Sequence, residues 1–276
     1  METAKIDFVI TWVDEADPIW YKEKLETLKK QGKAAEEMID NSTSRYRDWD
    51  ILKYWFRGVE KFAPWVNQIH FVTYGHVPDW LNEKHSKLHI VKHEDFIPQE
   101  FRPTFSSHPI EWNFHRIEWL TENFVYFNDD MFLIKKVSPE DFFRDERPVD
   151  MLALQPDVAN ADDQIMPYIY LNNAMVLAKY FDKRENMKKQ PGAYFHPGYP
   201  LIYFGYNLLE MAFYRFLYRT RAIPAKKRVL PFLLEKRRRA FASCLLPSFP
   251  SQRRYQPVCS ARISEAERKF CSEEYS

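Results

Sequence analysis

An α/β fold, Rossmann-like and built on a mostly parallel sheet, is what this sequence predicts. Two observations predict it. Short apolar runs rich in β-branched residues recur along the chain, and segments whose apolar residues keep helical spacing fall between them.

The first run, Ile6 to Val13, reads as a buried strand stopped by the acidic turn Asp14-Glu15-Ala16-Asp17-Pro18. Trp20 to Met38 carries Leu25, Leu28 and Met38 among charges, the pattern of a solvated helix, and the polar stretch Asn41 to Ser44 breaks it. From Asp48 to Phe62 the residues Ile51, Leu52, Trp55, Phe56, Val59 and Phe62 recur at helical spacing. That is a core-facing amphipathic helix, with Asp48 as its N-cap and Pro64 closing it. Gln68 to Thr73 forms a second strand leading into Gly75-His76-Val77-Pro78, and Leu88 to Val91 a third, followed by an acidic turn. Phe124 to Phe127 and Met131 to Ile134 flank Asn128-Asp129-Asp130, so the acidic pair either interrupts or ends a buried strand. Asp150 to Leu154 reads as a further strand and Ile169 to Tyr180 as helical, at least in part.

The bulk properties bound the function. The 276 residues are 45% hydrophobic and 17% aromatic with 6 glycines, which fits a compact core and excludes low-complexity linker. A net charge of +1 excludes an overall field suited to nucleic acid, so any anion site must be local. No stretch reaches the roughly 18 apolar residues of a membrane span, and Met1 to Asp7 lacks a signal-peptide pattern. The expected location is therefore the cytoplasm. Cys244, Cys259 and Cys271 match no common zinc spacing and support no disulfide framework. From Arg219 onward Arg219, Arg221, Lys226, Lys227, Arg228 and Lys236 to Arg239 crowd a stretch almost free of acids. The chain accordingly divides into a catalytic part, 1–218, and a basic tail, 219–276. That tail is either a phosphate-binding or membrane-surface segment, giving peripheral contact at the inner membrane face, or simply a poorly structured end, which is the favoured reading.

Candidate chemistry concentrates in three places. Asp129 and Asp130 form an oxygen-rich pair beside apolar runs, suited to Mg2+ or Mn2+; the same residues suit a surface β-turn equally well. Glu111 is a candidate general base, with His115 and Arg116 candidate phosphate contacts; four residues apart, Glu111 and His115 would share one face of a helix. Each also fits an ordinary cap or surface pair. Thr11, Trp12 and Asp14 stand where the first strand ends, the edge at which open α/β sheets bind ligands, and Trp12 either stacks on a base or fills the core. Arg45 and Arg47 are potential diphosphate partners.

In order along the chain, these segments resemble the Stealth family of bacterial capsular polysaccharide phosphotransferases and the related animal N-acetylglucosamine-1-phosphotransferase. The resemblance runs from Ile6-Asp7-Phe8-Val9-Ile10-Thr11-Trp12-Val13-Asp14 through Arg45-Tyr46-Arg47-Asp48, Glu60-Lys61-Phe62-Ala63-Pro64-Trp65 and Pro103-Thr104-Phe105. It continues through Ser107-His108, Ile110-Glu111 and His115-Arg116-Ile117 to Phe127-Asn128-Asp129-Asp130, and more weakly to Asn172-Asn173-Ala174. Departures are Glu15 where glycine is usual, Trp49 and Trp55 in place of smaller or polar residues, and His76 where glutamine is common. The family's late segments, with a histidine and an arginine that complete its site, find no match here, as in a truncated or frameshifted gene.

The resemblance implies a nucleotide-sugar transferase architecture, GT-A-like, moving hexose-1-phosphate from a UDP-sugar of the UDP-N-acetylglucosamine type to a glycan hydroxyl in capsular or exopolysaccharide synthesis. It implies Mg2+ or Mn2+ at Asp129 and Asp130; Glu111, His115, Arg116 and Asp130 in catalysis; and Thr11, Trp12, Asp14, Arg45 and Arg47 in donor binding. A metal-dependent glycosyltransferase and a catalytically incomplete UDP-sugar-binding protein are the alternatives.

Overall fold

A computed structural model describes residues 5–30, 50–150, 154–155, 174, 178, 182–209, 215–216 and 222–231. The chain divides into two compact units, Met1–Asp150 with Tyr218–Phe249, and Met151–Leu217 with Pro250–Ser276.

The first unit is organised by strand β1, Ile6–Trp12, whose residues are almost all buried. It pairs in parallel with β2, Ile69–Thr73, on one side and with β4, Asn123–Phe127, on the other. Strand β3, Leu88–Lys92, extends the sheet beyond β2, also in parallel. The edge beside β4 is β9, Ile223–Lys226, which runs antiparallel. The order is β3-β2-β1-β4-β9. The chain moves outward from β1 to β3 and then returns to the opposite side of β1, so the carboxyl ends of β1 and β4 flank the topological switch point.

Alternation along β1 sorts the two faces. Phe8, Ile10 and Trp12 pack with Leu52, Trp55 and Val59 of helix α2, Leu52–Phe62, and with Ala63 at its C-cap; the amphipathic spacing matches the expectation. Val9, on the opposite face, joins Val72, Val91, Ile110, Phe114 and Tyr126 in a second apolar layer. Helix α1, Pro18–Lys30, follows β1 directly; the Asp17 carboxylate accepts the Trp20 N–H at 2.7 Å and caps it. After β3 the expected acidic turn is a single helical turn, α3, His93–Phe96, and then α4, Ser107–Trp112. A hairpin, β5 Phe143–Arg144 with β6 Arg147–Pro148, turns through Asp145 and Glu146 at φ of 48° and 59°.

The structure resolves one open expectation and adds to another. Asn128-Asp129-Asp130 ends its strand rather than interrupting it, because Met131 to Ile134 leaves the sheet; Met131, Phe132 and Leu133 pack on the α2 face and Ile134 is exposed. Part of the stretch read as a basic tail is built into the sheet. Lys226 is buried in β9, the Lys227 ammonium donates to the carbonyls of Ile117 at 2.7 Å and Leu120 at 3.1 Å, and Arg228 pairs with Glu122 at 3.1 Å. Lys227 and Arg228 thus tie the sheet edge to the segment before β4. Arg45, Arg47, the Asp48 cap, Asn172-Asn173 and the cysteines lie outside the described residues.

In the second unit, β7 Leu154–Gln155 pairs with β8 Arg215–Phe216, alongside helices α5 Lys183–Lys189, α6 Pro191–Tyr194 and α7 Leu201–Leu209. Of the predicted Ile169–Tyr180 helix, Ala174 and Ala178 are described, and both are helical. No helix among the described residues is long and apolar enough to cross a membrane.

Candidate active site

At the switch point the Tyr126 hydroxyl draws three segments together. It lies 3.2 Å from Thr11 Oγ1 at the end of β1 and 3.4 Å from Glu111 Oε1 on α4, and it donates a short hydrogen bond to Asn128 Oδ1 just past β4. The β1–β4 register makes this convergence necessary. Val9 pairs with Tyr126 and Ile10 with Phe127, so Thr11 and Asn128 reach the same level. Thr11 and Tyr126 share the face that carries α4. Tyr126 is buried; its burial first, and then the Glu111 charge, push the phenol well above its ordinary range. It therefore stays a neutral donor at physiological pH.

Glu111 is half-buried, one residue before the end of α4. The helix stops because Asn113 folds its amide back to the Pro109 carbonyl at 2.8 Å, and a separate 3₁₀ turn, Phe114–Arg116, follows. Glu111 and His115 are thus on two different helices, and the single face expected from their spacing does not form. His115 donates through Nδ1 to the Trp112 carbonyl at 2.8 Å, and burial lowers its pKa. Arg116 is exposed, on the segment leading to the start of β4. Neither hydrogen-bonds to Glu111 or to the acidic turn among the described residues.

Asp129 and Asp130 occupy the exposed turn after β4, so no burial penalty attaches to the pair. Among the described residues no group of three histidine, cysteine or acidic side chains converges into a metal cage. Two carboxylates beside a phosphate-bearing substrate are nevertheless the usual protein share of an Mg2+ site, and the pair fits that role.

Trp12 is 6% exposed and packs on Phe71 at 5.7 Å between ring centres, which leaves no free face for a base; it fills the core. Asp14 begins the turn into α1. Its Oδ1 accepts the Ala16 N–H at 2.9 Å, and its own N–H donates to His76 Nε2 at 2.8 Å.

Comparison with known proteins fits this arrangement. Residues 45–151 match Stealth protein CR2, conserved region 2. The chain is similar to the capsular polysaccharide phosphotransferase eps5J of Streptococcus thermophilus, 41% identical over 199 residues that cover 70% of this chain and 79% of the relative. The chain belongs to the Stealth family. It is also 43% identical over 194 residues to the capsular polysaccharide phosphotransferase WcwK of Streptococcus pneumoniae. With the receptor polysaccharide phosphotransferase WefC of Streptococcus oralis the identity is 44% over 200 residues. Each match covers 70% of this Stealth chain and 57% of the relative, so the chain spans a little over half the length of those two proteins.

The matched region contains Glu111, Tyr126, Asn128, Asp129 and Asp130 of this Stealth protein. Sequence reading missed Tyr126 because it sits inside the apolar run Phe124–Phe127 and reads as a core strand residue. A signal existed: a tyrosine at the penultimate position of its strand, two residues before an Asn-Asp-Asp turn, places a hydroxyl near the carboxyl edge of the sheet.

Proposed function

We propose that this Stealth chain moves hexose-1-phosphate from a UDP-sugar, of the UDP-N-acetylglucosamine type, to a hydroxyl of a glycan acceptor, in synthesis of a capsular or extracellular polysaccharide. The names of the relatives support the reaction class. The observation that carries the reading is the Tyr126 hub, which ties a carboxylate, Glu111, to the strand-end acidic turn at the sheet's switch point.

In this reading Glu111 takes the proton of the acceptor hydroxyl as its oxygen attacks the phosphorus attached to the sugar. A new oxygen–phosphorus bond forms, the bond from that phosphorus to the nucleoside monophosphate breaks, and UMP leaves with the bonding electrons. The C1–oxygen bond of the hexose is untouched, so its configuration is kept without a glycosyl-enzyme intermediate. Asp129 and Asp130 would hold Mg2+ or Mn2+, whose bound charge offsets that of the diphosphate. Thr11 and Asp14 border the donor side, and Arg45 and Arg47 belong there by family resemblance. The structure offers no free ring face at Trp12 and no shared helix for His115, so neither is given a role.

The test is product analysis. The purified chain with UDP-N-acetylglucosamine, Mg2+ and a short glycan acceptor is expected to release UMP, and Glu111→Gln to lose about 100-fold or more of that rate. Release of UDP instead would mean glycosyl transfer and would overturn the proposal.

A further inference from the structure

The loop after β2 reaches across the sheet edge to hold the turn after β1. His76 Nε2 accepts the Asp14 N–H at 2.8 Å, Nδ1 faces Asp17 Oδ1 at 3.8 Å, and the ring meets Trp12 edge-on at 5.1 Å between centres. The loop is itself fixed, because the Thr73 hydroxyl donates to the His76 carbonyl at 2.5 Å. So is the turn: the Asp17 N–H donates to the Asp14 carbonyl at 3.1 Å, and the Asp17 carboxylate caps α1. His76 is a direct clasp between the loop and the turn, beside the bond that the Tyr74 hydroxyl makes to Glu23 on α1.

A ring nitrogen that accepts an N–H carries no proton, so this hydrogen-bond network assigns the neutral Nδ1–H tautomer. In imidazolium both nitrogens are donors, and Nε2–H would oppose the Asp14 N–H. We infer that His76 is a positioning residue whose neutral Nδ1–H tautomer fastens the Asp14 turn to the Gly75–Pro78 loop, and that protonating the ring releases the turn. The groups facing the ring compete. Burial of the ring lowers its pKa, while Asp17 and then Asp14, from the turn, act in the opposite direction; among the described residues His93, at the start of α3, is a further titratable neighbour and is itself held neutral by burial. Burial prevails, so the clasp is closed at neutral pH and opens in acid. Release displaces Asp14 from the donor side, and this last consequence rests on the nucleotide-sugar reading; the tautomer and the clasp do not.

Two measurements on the intact chain separate these levels. Nitrogen-15 spectra of the histidine rings at about pH 7.5, assigned by loss of the signal in His76→Ala, are expected to show a protonated Nδ1 and a bare Nε2 at His76. An Nε2–H tautomer or an imidazolium at that pH overturns the inference. Lowering the pH to about 4.5 is expected to raise hydrogen exchange of the Asp14 amide about tenfold relative to His76→Gln, whose amide oxygen accepts the same N–H without titrating. Equal behaviour of the two proteins overturns it. UDP affinity, measured by calorimetry over the same range, is expected to fall in acid for the native chain and hold for His76→Gln. Absence of UDP binding at every pH would refute the nucleotide-sugar reading, while the ring spectra and the Asp14 amide would still decide the clasp.

Discussion

The Tyr126 hydroxyl has one proton to give and three neighbours within reach. Glu111 and the Asn128 Oδ1 are acceptors, whereas Thr11 can fill either role, so the economical pattern has Thr11 donating to Tyr126 and Tyr126 donating onward. The proton then holds Glu111 or Asn128, but not both at once. A general base anchored through one oxygen presents the other in a defined direction, and directional control is where positioning contributes to rate. Tyr126→Phe keeps the ring in its apolar layer and removes the hydroxyl with its bonds to Glu111, Asn128 and Thr11. It is expected to lower kcat about 10- to 100-fold, the range of one hydrogen bond to a charged group, with the KM for UDP-sugar changed less than about threefold and stability lower by about 1 kcal/mol. Steady-state kinetics and thermal unfolding check this. An unchanged kcat would remove Tyr126 from the site and return it to the core.

The strands show a second buried device, at the opposite end of the sheet from the site. Asp7 is fully buried at the start of β1, and its carboxylate accepts four hydrogen bonds: from the Asn67 amide at 2.7 Å, the Gln68 N–H at 3.1 Å, His70 Nε2 at 3.0 Å and the Thr121 N–H at 2.9 Å. These donors enter β2 on one side and β4 on the other, so one side chain sets the level of both neighbours of β1. Removing it strands all four donors. Asp7→Ala is expected to cost about 3–5 kcal/mol in urea unfolding, and Asp7→Asn somewhat less because it keeps an acceptor. Loss below about 1 kcal/mol would mean that the register is held by the apolar faces instead.

Elements of this kind differ in how far the sequence reveals them. Strands β1 to β4 and helix α2 were legible because each carries its own apolar pattern, dense enough to be read without knowing what it packs against. Strand β9 was not. Ile223-Pro224-Ala225-Lys226 has little apolar alternation and lies among basic residues; it becomes a strand through the free edge that β4 offers. The candidate site divides the same way. Glu111 and the Asn-Asp-Asp turn stand out as polar groups in apolar context, whereas the Tyr126 contacts join segments 115 and 15 residues apart and exist only once the strands are in register. The helix shared by Glu111 and His115 failed because the Asn113 side chain ends α4, a local competition that spacing alone cannot register.

For the whole molecule, the buried histidines set the response to acid. Burial holds His93 at about 3, well below its ordinary range, and burial likewise lowers His76, His89 and His115. In the unfolded chain each ring protonates near pH 6.5, while in the native state it stays neutral to lower pH. The unfolded state therefore binds more protons as pH drops below about 6.5, and stability falls with it; for His93 the loss continues down to about pH 3, where the native ring also charges. Asp7 acts in a separate window. Burial pushes its carboxyl up, but the hydrogen bonds from His70, Asn67 and Thr121 outweigh this and leave it below 3.8, so its contribution is complete above that pH and is lost only as pH falls through the lower native value. Between about pH 6.5 and 4 these histidines should each drive a decline of no more than about 1.4 kcal/mol per pH unit for each proton. His93 packs edge-on against Tyr74 and Phe96, and its buried Nδ1 has no hydrogen-bond partner among the described residues, so phenylalanine can replace it without breaking a described bond at that nitrogen. Urea unfolding across this range is expected to show His93→Phe with a slope of stability against pH shallower by about one proton, and with the difference vanishing above about pH 7. A parallel slope would show that His93 is already protonated in the native state, and that its burial is relieved by a partner the native chain acquires in acid.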